Sequence, residues 1–280
     1  LIAERNAITN TSLYDTELSG ELPRINPRNP SLRKIHLSVQ FVELEGVTID
    51  EPVWKALHGL PELEWLFLTD CVVKTTGDEF AGLRSLRVLY ISDCRLSRED
   101  LRGIATLDKL EGLQLGGVDD QVEWMAPSFA ELPNLKGLEL VNVAISAQSL
   151  RHIFGLRQIS YLNLYGATLD LSGMTQLAEL ENLNSLRLSN TNIDDASLAT
   201  VASLRQILQL ELAKTEITDE AMRHLSRLPR LIVLDISHTQ VTNVGLEILG
   251  DSESLQKDSL TTTGTAIDEA ELAKFRRSRP

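Results

Sequence analysis

Ile207-Leu208-Gln209-Leu210-Glu211-Leu212 is the stretch that decides how this chain folds. Leu210 and Leu212, its fourth and sixth positions, alternate with polar Gln209 and Glu211, the period-2 pattern of a short half-buried strand. The period then changes: Ile217, Met222, Leu225 and Leu228 recur at intervals suited to one face of a short helix. The spacing L-x-x-L-x-L returns along the chain with first positions at Val39, Leu63, Leu86, Leu110, Leu135, Ile159, Leu183, Ile207, Leu231 and Leu255. Successive starts lie 24, 23, 24, 25, 24, 24, 24, 24 and 24 residues apart. Such a period marks stacked coils of strand, turn, helix and turn, not a globule built around one centre.

The unbroken repeat predicts one domain. Residues 1–38 do not fit it, because Pro23, Pro27 and Pro30 break any long helix. They are expected to form an irregular N-terminal cap or linker, with Leu32, Ile35 and Leu37 as an extra strand over the first coil. Residues 39–262 form the solenoid, and residues 263–280 a C-terminal capping helix with a basic tail. Helix starts are marked by Ser97 with Asp100 and by Asp268 with Glu271, each placing an oxygen acceptor at the N-cap and a carboxylate in the first turn. Pro61, Pro133 and Pro229 stop the helices before them. Two coils depart from the pattern. Gly116-Gly117-Val118-Asp119-Asp120 predicts a bulged loop, and Asp258 stands where a core leucine belongs, ahead of a Thr-rich turn at Thr261 to Thr265 that is longer by two.

Composition narrows the function classes. Asp and Glu number 40 against 27 Lys and Arg, a net charge of −13, which repels nucleic acid. No apolar run approaches the roughly 18 residues that cross a bilayer, so no membrane span is expected within this chain. The chain starts with Leu, as expected of a processed product or a piece of something longer. Cys71 and Cys94 have no metal-ligand spacing; each falls three residues after the last ladder position of its coil. They are read as buried free thiols, with a disulfide sterically open to them in an oxidising compartment.

Leu188-Ser189-Asn190-Thr191-Asn192-Ile193-Asp194-Asp195, Leu212-Ala213-Lys214-Thr215-Glu216-Ile217-Thr218-Asp219 and Ile236-Ser237-His238-Thr239-Gln240-Val241-Thr242 resemble leucine-rich repeats. They are similar to the T-x-I-T-D type of large bacterial repeat proteins and to the cysteine-containing type found beside F-box domains. The resemblance covers residues 39–275. It implies an α/β fold, a right-handed horseshoe with parallel strands on the concave face and short helices on the convex face. It also implies binding of proteins or peptides, and for some members an N-terminal membrane anchor, which favours an extracytoplasmic or anchored parent. Residues 1–38 are too short and Pro-broken for an F-box module. Thr191, Thr215, Thr239 and Thr263 are expected to hydrogen-bond a neighbouring coil's backbone.

Strand side chains alternate, so the second, fourth and sixth offsets from each ladder start face away from the core. Exposed aromatics are therefore expected at Phe41, Trp65, Phe67 and Tyr90 on three consecutive strands, as an anchor site for a partner. Cross-strand stacking, or contact with a folded-back N-terminal segment, would use the same rings. Glu45, Asp70 and Asp93 flank the patch; Glu139, Glu211 and Asp235 extend acidity along the face, which suits a basic peptide or protein surface. Tyr161 and Tyr165, with Asn163 and Arg187, form a second aromatic spot. Gly112, Gly116, Gly117 and Gly137 predict a shallow gap between the two.

No catalytic constellation converges. His152 and His224 lie three coils apart, His36 and His58 have no evident partners, and His238 lacks a nucleophile. Asp119-Asp120 and Asp194-Asp195 read as loop or helix-start residues rather than calcium loops. The expectation is a non-enzymatic binding scaffold without cofactor or metal. A structural cell-surface or envelope module and a substrate-recruiting adaptor for a separate enzyme are the alternatives.

Overall fold

The computed structural model describes residues 39–75, 79–117, 122–256 and 258–278. The expected cap over residues 1–38, its strand at Leu32, Ile35 and Leu37, and Val118-Asp119-Asp120 of the expected bulge lie outside the described residues. The chain forms two compact units, one of residues 1–118 with 131–137 and the other of 119–130 with 138–280.

In the first unit, β1 (Phe41–Glu45), β2 (Trp65–Thr69), β3 (Val88–Ser92) and β4 (Gly112–Gly116) run parallel in chain order. Their leucines meet in register, Val42 beside Leu66, Leu66 beside Leu89 and Leu89 beside Leu113, and all are buried. Opposite them lie α1 (Glu51–His58) and α2 (Arg98–Ala105). Trp54 of α1 is buried edge-on against Phe80, with its indole N–H donating to the Lys74 carbonyl. The predicted start at Ser97 is a full capping box: the Ser97 hydroxyl accepts from the Asp100 amide, and the Asp100 carboxylate accepts from the Ser97 amide.

The second unit repeats the plan with β5 (Gly137–Val141), which belongs to it from Leu138 onward, β6 (Tyr161–Asn163), β7 (Ser185–Arg187), β8 (Gln209–Glu211), β9 (Val233–Asp235) and β10 (Leu260–Thr261). Its helices are α3 (Val122–Met125), α4 (Ala147–Phe154), α5 (Asp195–Val201), α6 (Asp219–Leu225), α7 (Asn243–Leu249) and α8 (Glu269–Arg277). The last packs on α7 and buries Leu272 and Phe275. Asp268 stands at its N-cap position but caps no amide; its carboxylate instead accepts from the Asn243 side chain of the preceding coil.

Each coil leaves its strand through one left-handed residue. Gly46, Asp70, Asp93, Gly117, Asn142, Gly166, Asn190, Lys214, His238 and Gly264 have φ between 51° and 73°. Gly, Asn and Asp tolerate that region, whereas Lys214 and His238 pay for it in backbone strain.

The threonine column differs from expectation. The Thr191, Thr215 and Thr239 hydroxyls donate to the Leu188, Leu212 and Ile236 carbonyls at 2.6 to 2.7 Å, within their own coils. A short side chain beside a sharp turn reaches the carbonyl three residues back before it reaches the next coil. In the last coil this role falls to Thr265, bonded to Thr262, and not to Thr263.

At the helix starts, polar bonds do run from coil to coil. The Asp195 carboxylate accepts from the Thr218 amide and hydroxyl, and the Asp219 carboxylate accepts the same pair from Thr242. The repeat motif thus divides its labour: the first Thr ties down its own turn, Ile217 fills the core, and Thr218 with Asp219 link to the coils on either side. Asp194 caps α5 through the Ser197 amide, which accounts for the Asp194-Asp195 pair.

The last coil corrects another expectation. Leu234 pairs with Leu260, so the two extra residues are absorbed between Leu255 and the strand. Leu260 takes the core position, while Asp258 is exposed.

Candidate functional site

The strand faces turned away from the leucines carry two different surfaces. In the first unit they bear rings. Phe67 sits between two neighbours, 5.1 Å from Phe41 with planes tilted by 48° and 5.2 Å from Tyr90 with planes only 13° apart. Strands about 4.8 Å apart place the registered pair Phe67 and Tyr90 within stacking distance, whereas Phe41, in register with Trp65, meets Phe67 diagonally across the strand pair. Trp65 stands beside Phe41 and Val88 by register. Trp65, Phe67 and Tyr90 are half-buried, each keeping part of its surface open. Phe41 departs from expectation: it is only 7% exposed, with its ring 5.1 Å from that of Phe67.

Charge borders the rings. Glu45, Asp70 and Asp93 are exposed, and Asp70 and Asp93 are two of the left-handed turn residues. One column away, Arg87 is held bidentately by Glu111 at 2.9 and 3.0 Å and reaches Glu64 at 3.4 Å. The Glu111 hydrogen bond is the main reason its guanidinium pKa is raised. Of the glycines expected to leave a shallow gap, Gly112, Gly116 and Gly137 are buried and Gly117 is exposed, and Gln114 among them is 7% exposed.

The second unit carries a polar network on the equivalent face. Glu139 accepts from the Asn163 side chain at 2.6 Å, and Arg187 donates to Glu211 at 2.7 Å, while Asp235 accepts from the Ser237 amide. Glu139 and Glu211 are 2% and 5% exposed, so they do not extend an open acidic surface as expected. Adjacent strands bring Asn163 and Arg187 against them, and a buried carboxylate persists when so bonded. Burial raises the Glu211 pKa, with the Arg187 charge pulling the other way. For Arg187, burial opposes the charge but Glu211 beside it leaves the pKa raised overall. Tyr161 is half-buried like the rings of the first unit, and burial and the Glu139 charge push its phenol pKa up.

Other sequence candidates resolve into structure. His58 has partners after all: its imidazole Nε2 lies 2.7 Å from the Glu79 carbonyl oxygen, and its ring stacks on Trp54. The His238 imidazole covers Gly264 of the next coil. Among the described residues, no three His, Cys, Asp or Glu side chains gather as a metal site. No helix of the described residues is long and apolar enough to cross a membrane.

Sequence reasoning missed two features. The alternation Glu64, Arg87, Glu111 at one offset was present in the ladder as an opposite-charge column. A polar groove of about 510 Å³ in the second unit, lined by Asn182, Asn184, Arg205, Gln206 and Arg230, joins turn residues of three coils with no motif to mark it.

Two solved structures share the fold at low identity. An internalin (inlF) from Listeria monocytogenes aligns with TM-score 0.56 and 20% identity over 80% of this chain and 68% of its own. An internalin C2 (inlC2) from the same organism aligns with TM-score 0.52 and 21% identity over 70% of this chain and 80% of its own. No family model matches the sequence, and no curated protein is significantly similar to it. The chain has the α/β architecture of a leucine-rich repeat protein: parallel strands backed by helices, coil after coil.

Proposed function

We propose that this chain is a non-enzymatic scaffold that binds a protein or peptide across its outward strand faces. One observation carries the reading: Phe67 and Tyr90 stack as rigid, partly open rings, with half-buried Trp65 two residues from Phe67 on the same strand, on a chain with only 5% aromatic residues. Rings of this kind dominate interface centres because they bring large contact area at little entropic cost. Phe41 supports Phe67 from the neighbouring strand. In the second unit the half-buried Tyr161, Arg187 and Asp235 present a polar face, with the buried Glu139 and Glu211 beneath it holding Asn163 and Arg187 in place before a partner arrives.

The proposed partner is basic. Exposed Glu45, Asp70 and Asp93 beside the rings, and the net charge of −13, favour Lys- or Arg-bearing surfaces and oppose nucleic acid. The repeats are proposed to be of the T-x-I-T-D type, because each residue of that motif has its own bonding task in the stack.

A random peptide library displayed on phage and selected on the folded protein tests this reading. Enriched peptides should be basic, weakened by added salt, and bound at least about tenfold more weakly by the triple variant Trp65→Ala, Phe67→Ala, Tyr90→Ala. Equal binding to the folded triple variant, or no enrichment, would overturn it.

A further inference from the structure

Cys71 and Cys94 occupy the same point of two consecutive coils. The backbone is in register on both sides of them: Thr69 pairs with Ser92, and Val72 bridges Arg95. Residues paired in this way lie about 4.8 Å apart across parallel strands. That separation falls inside the range of roughly 4.4–6.8 Å spanned by disulfide Cα atoms. The Cys71 amide donates to the Cys94 sulfur at 3.2 Å, so the second sulfur already lies over the first residue. Both side chains are buried, with the Cys71 sulfur 3.4 Å from the Leu44 and Thr69 carbonyl oxygens and the Cys94 sulfur 3.3 Å from that of Ser92. Cys71 is nevertheless flanked by two exposed residues, Asp70 and Val72.

We propose that Cys71 and Cys94 are a reversible thiol–disulfide pair that closes across the two coils by exchange with a small-molecule disulfide. This is independent of the binding reading. The Cys71 thiolate attacks one sulfur of the disulfide, the S–S bond breaks, and one thiolate leaves. Cys94 then loses its proton and attacks the Cys71 sulfur of the mixed disulfide, expelling the second thiolate. Two cysteine thiols are oxidised by two electrons, the small disulfide is reduced to two thiols, and the two protons end on the leaving groups. The asymmetry of the pair suits this order: a hydrogen bond with the Cys94 thiol draws Cys71 down to about 6, while the same contact and burial push Cys94 up. The bond would tie together the coils that carry Phe67 and Tyr90, each four residues before its cysteine.

The test incubates the folded, reduced protein with excess oxidised glutathione, alkylates remaining thiols in denaturant, and reads the intact mass. The expected product carries no alkyl group, is lighter than the reduced chain by two hydrogens, and reverts with dithiothreitol. Two alkylated cysteines, or a persistent glutathione adduct on the wild type, would overturn the proposal. Cys94→Ser should stop at the glutathione adduct on Cys71, whereas Cys71→Ser should keep a free Cys94; the opposite pattern contradicts Cys71 as the attacking sulfur. If either variant fails to fold, the wild-type mass and a peptide map linking the two cysteines decide alone.

Discussion

The Asp219 carboxylate accepts three hydrogen bonds from the next coil: from the Thr242 amide at 2.8 Å, the Thr242 hydroxyl at 2.7 Å and the Gly245 amide at 2.9 Å. One side chain thereby satisfies the first turn of α7 from outside its own coil, and Gly245 lies so close that a Cβ there would strike the carboxylate.

Asp219→Ala should cost about 2–3 kcal/mol, because two amides and a hydroxyl lose their acceptor together. Asp219→Asn should cost less, since one amide oxygen can still accept. Glu220→Ala, one residue away and exposed, should stay within about 0.5 kcal/mol. Urea denaturation of the three variants checks the ranking.

Lys214 turns the chain at φ 58°, a region that disfavours a Cβ-bearing residue other than Asn or Asp. Lys214→Asn should stabilise by about 0.5 kcal/mol and Lys214→Val should destabilise by about 1 kcal/mol. Thermal melts that ranked valine above asparagine would contradict the left-handed assignment.

Glu211 is buried against Arg187, whose side chain keeps 23% of its exposure. Arg187→Met should cost about 2–3 kcal/mol near neutral pH, somewhat below a fully buried pair. Glu211 has a raised folded pKa, so its protonated form is favoured on folding. Its contribution to stability is present below the unfolded carboxylate pKa and is lost as pH rises through the folded value. The Arg187→Met defect should therefore shrink as the pH falls through that window, as urea midpoints measured from neutral to acid pH would show.

Much of the fold was legible because a ladder leucine has one option, the interior: Leu63, Leu86, Leu110 and Leu183 are all at most 1% exposed. Three things were not. The burial of Phe41 depends on what packs against its strand from elsewhere in the chain, and alternation along one strand carries no information on that. The pairs Glu139–Asn163 and Arg187–Glu211 join residues 24 apart in sequence, visible only once the coils are laid side by side. The left-handed column hid because Lys214 and His238 interrupt its run of Gly, Asn and Asp.

The last coil gives a direct check on register. Leu260→Ala should cost about 2–5 kcal/mol, the range for a buried leucine. Asp258→Leu should bring no gain, because that side chain faces solvent. A stabilising Asp258→Leu would mean that the insertion lies after the strand.

Hydrogen exchange, read by mass spectrometry with and without the tightest selected peptide, tests the binding claim most directly. The account predicts slowed exchange in residues 41–45, 65–69 and 88–92, lost in the Trp65, Phe67, Tyr90 triple alanine variant. Protection confined to the helices, or unchanged in that variant, would contradict it.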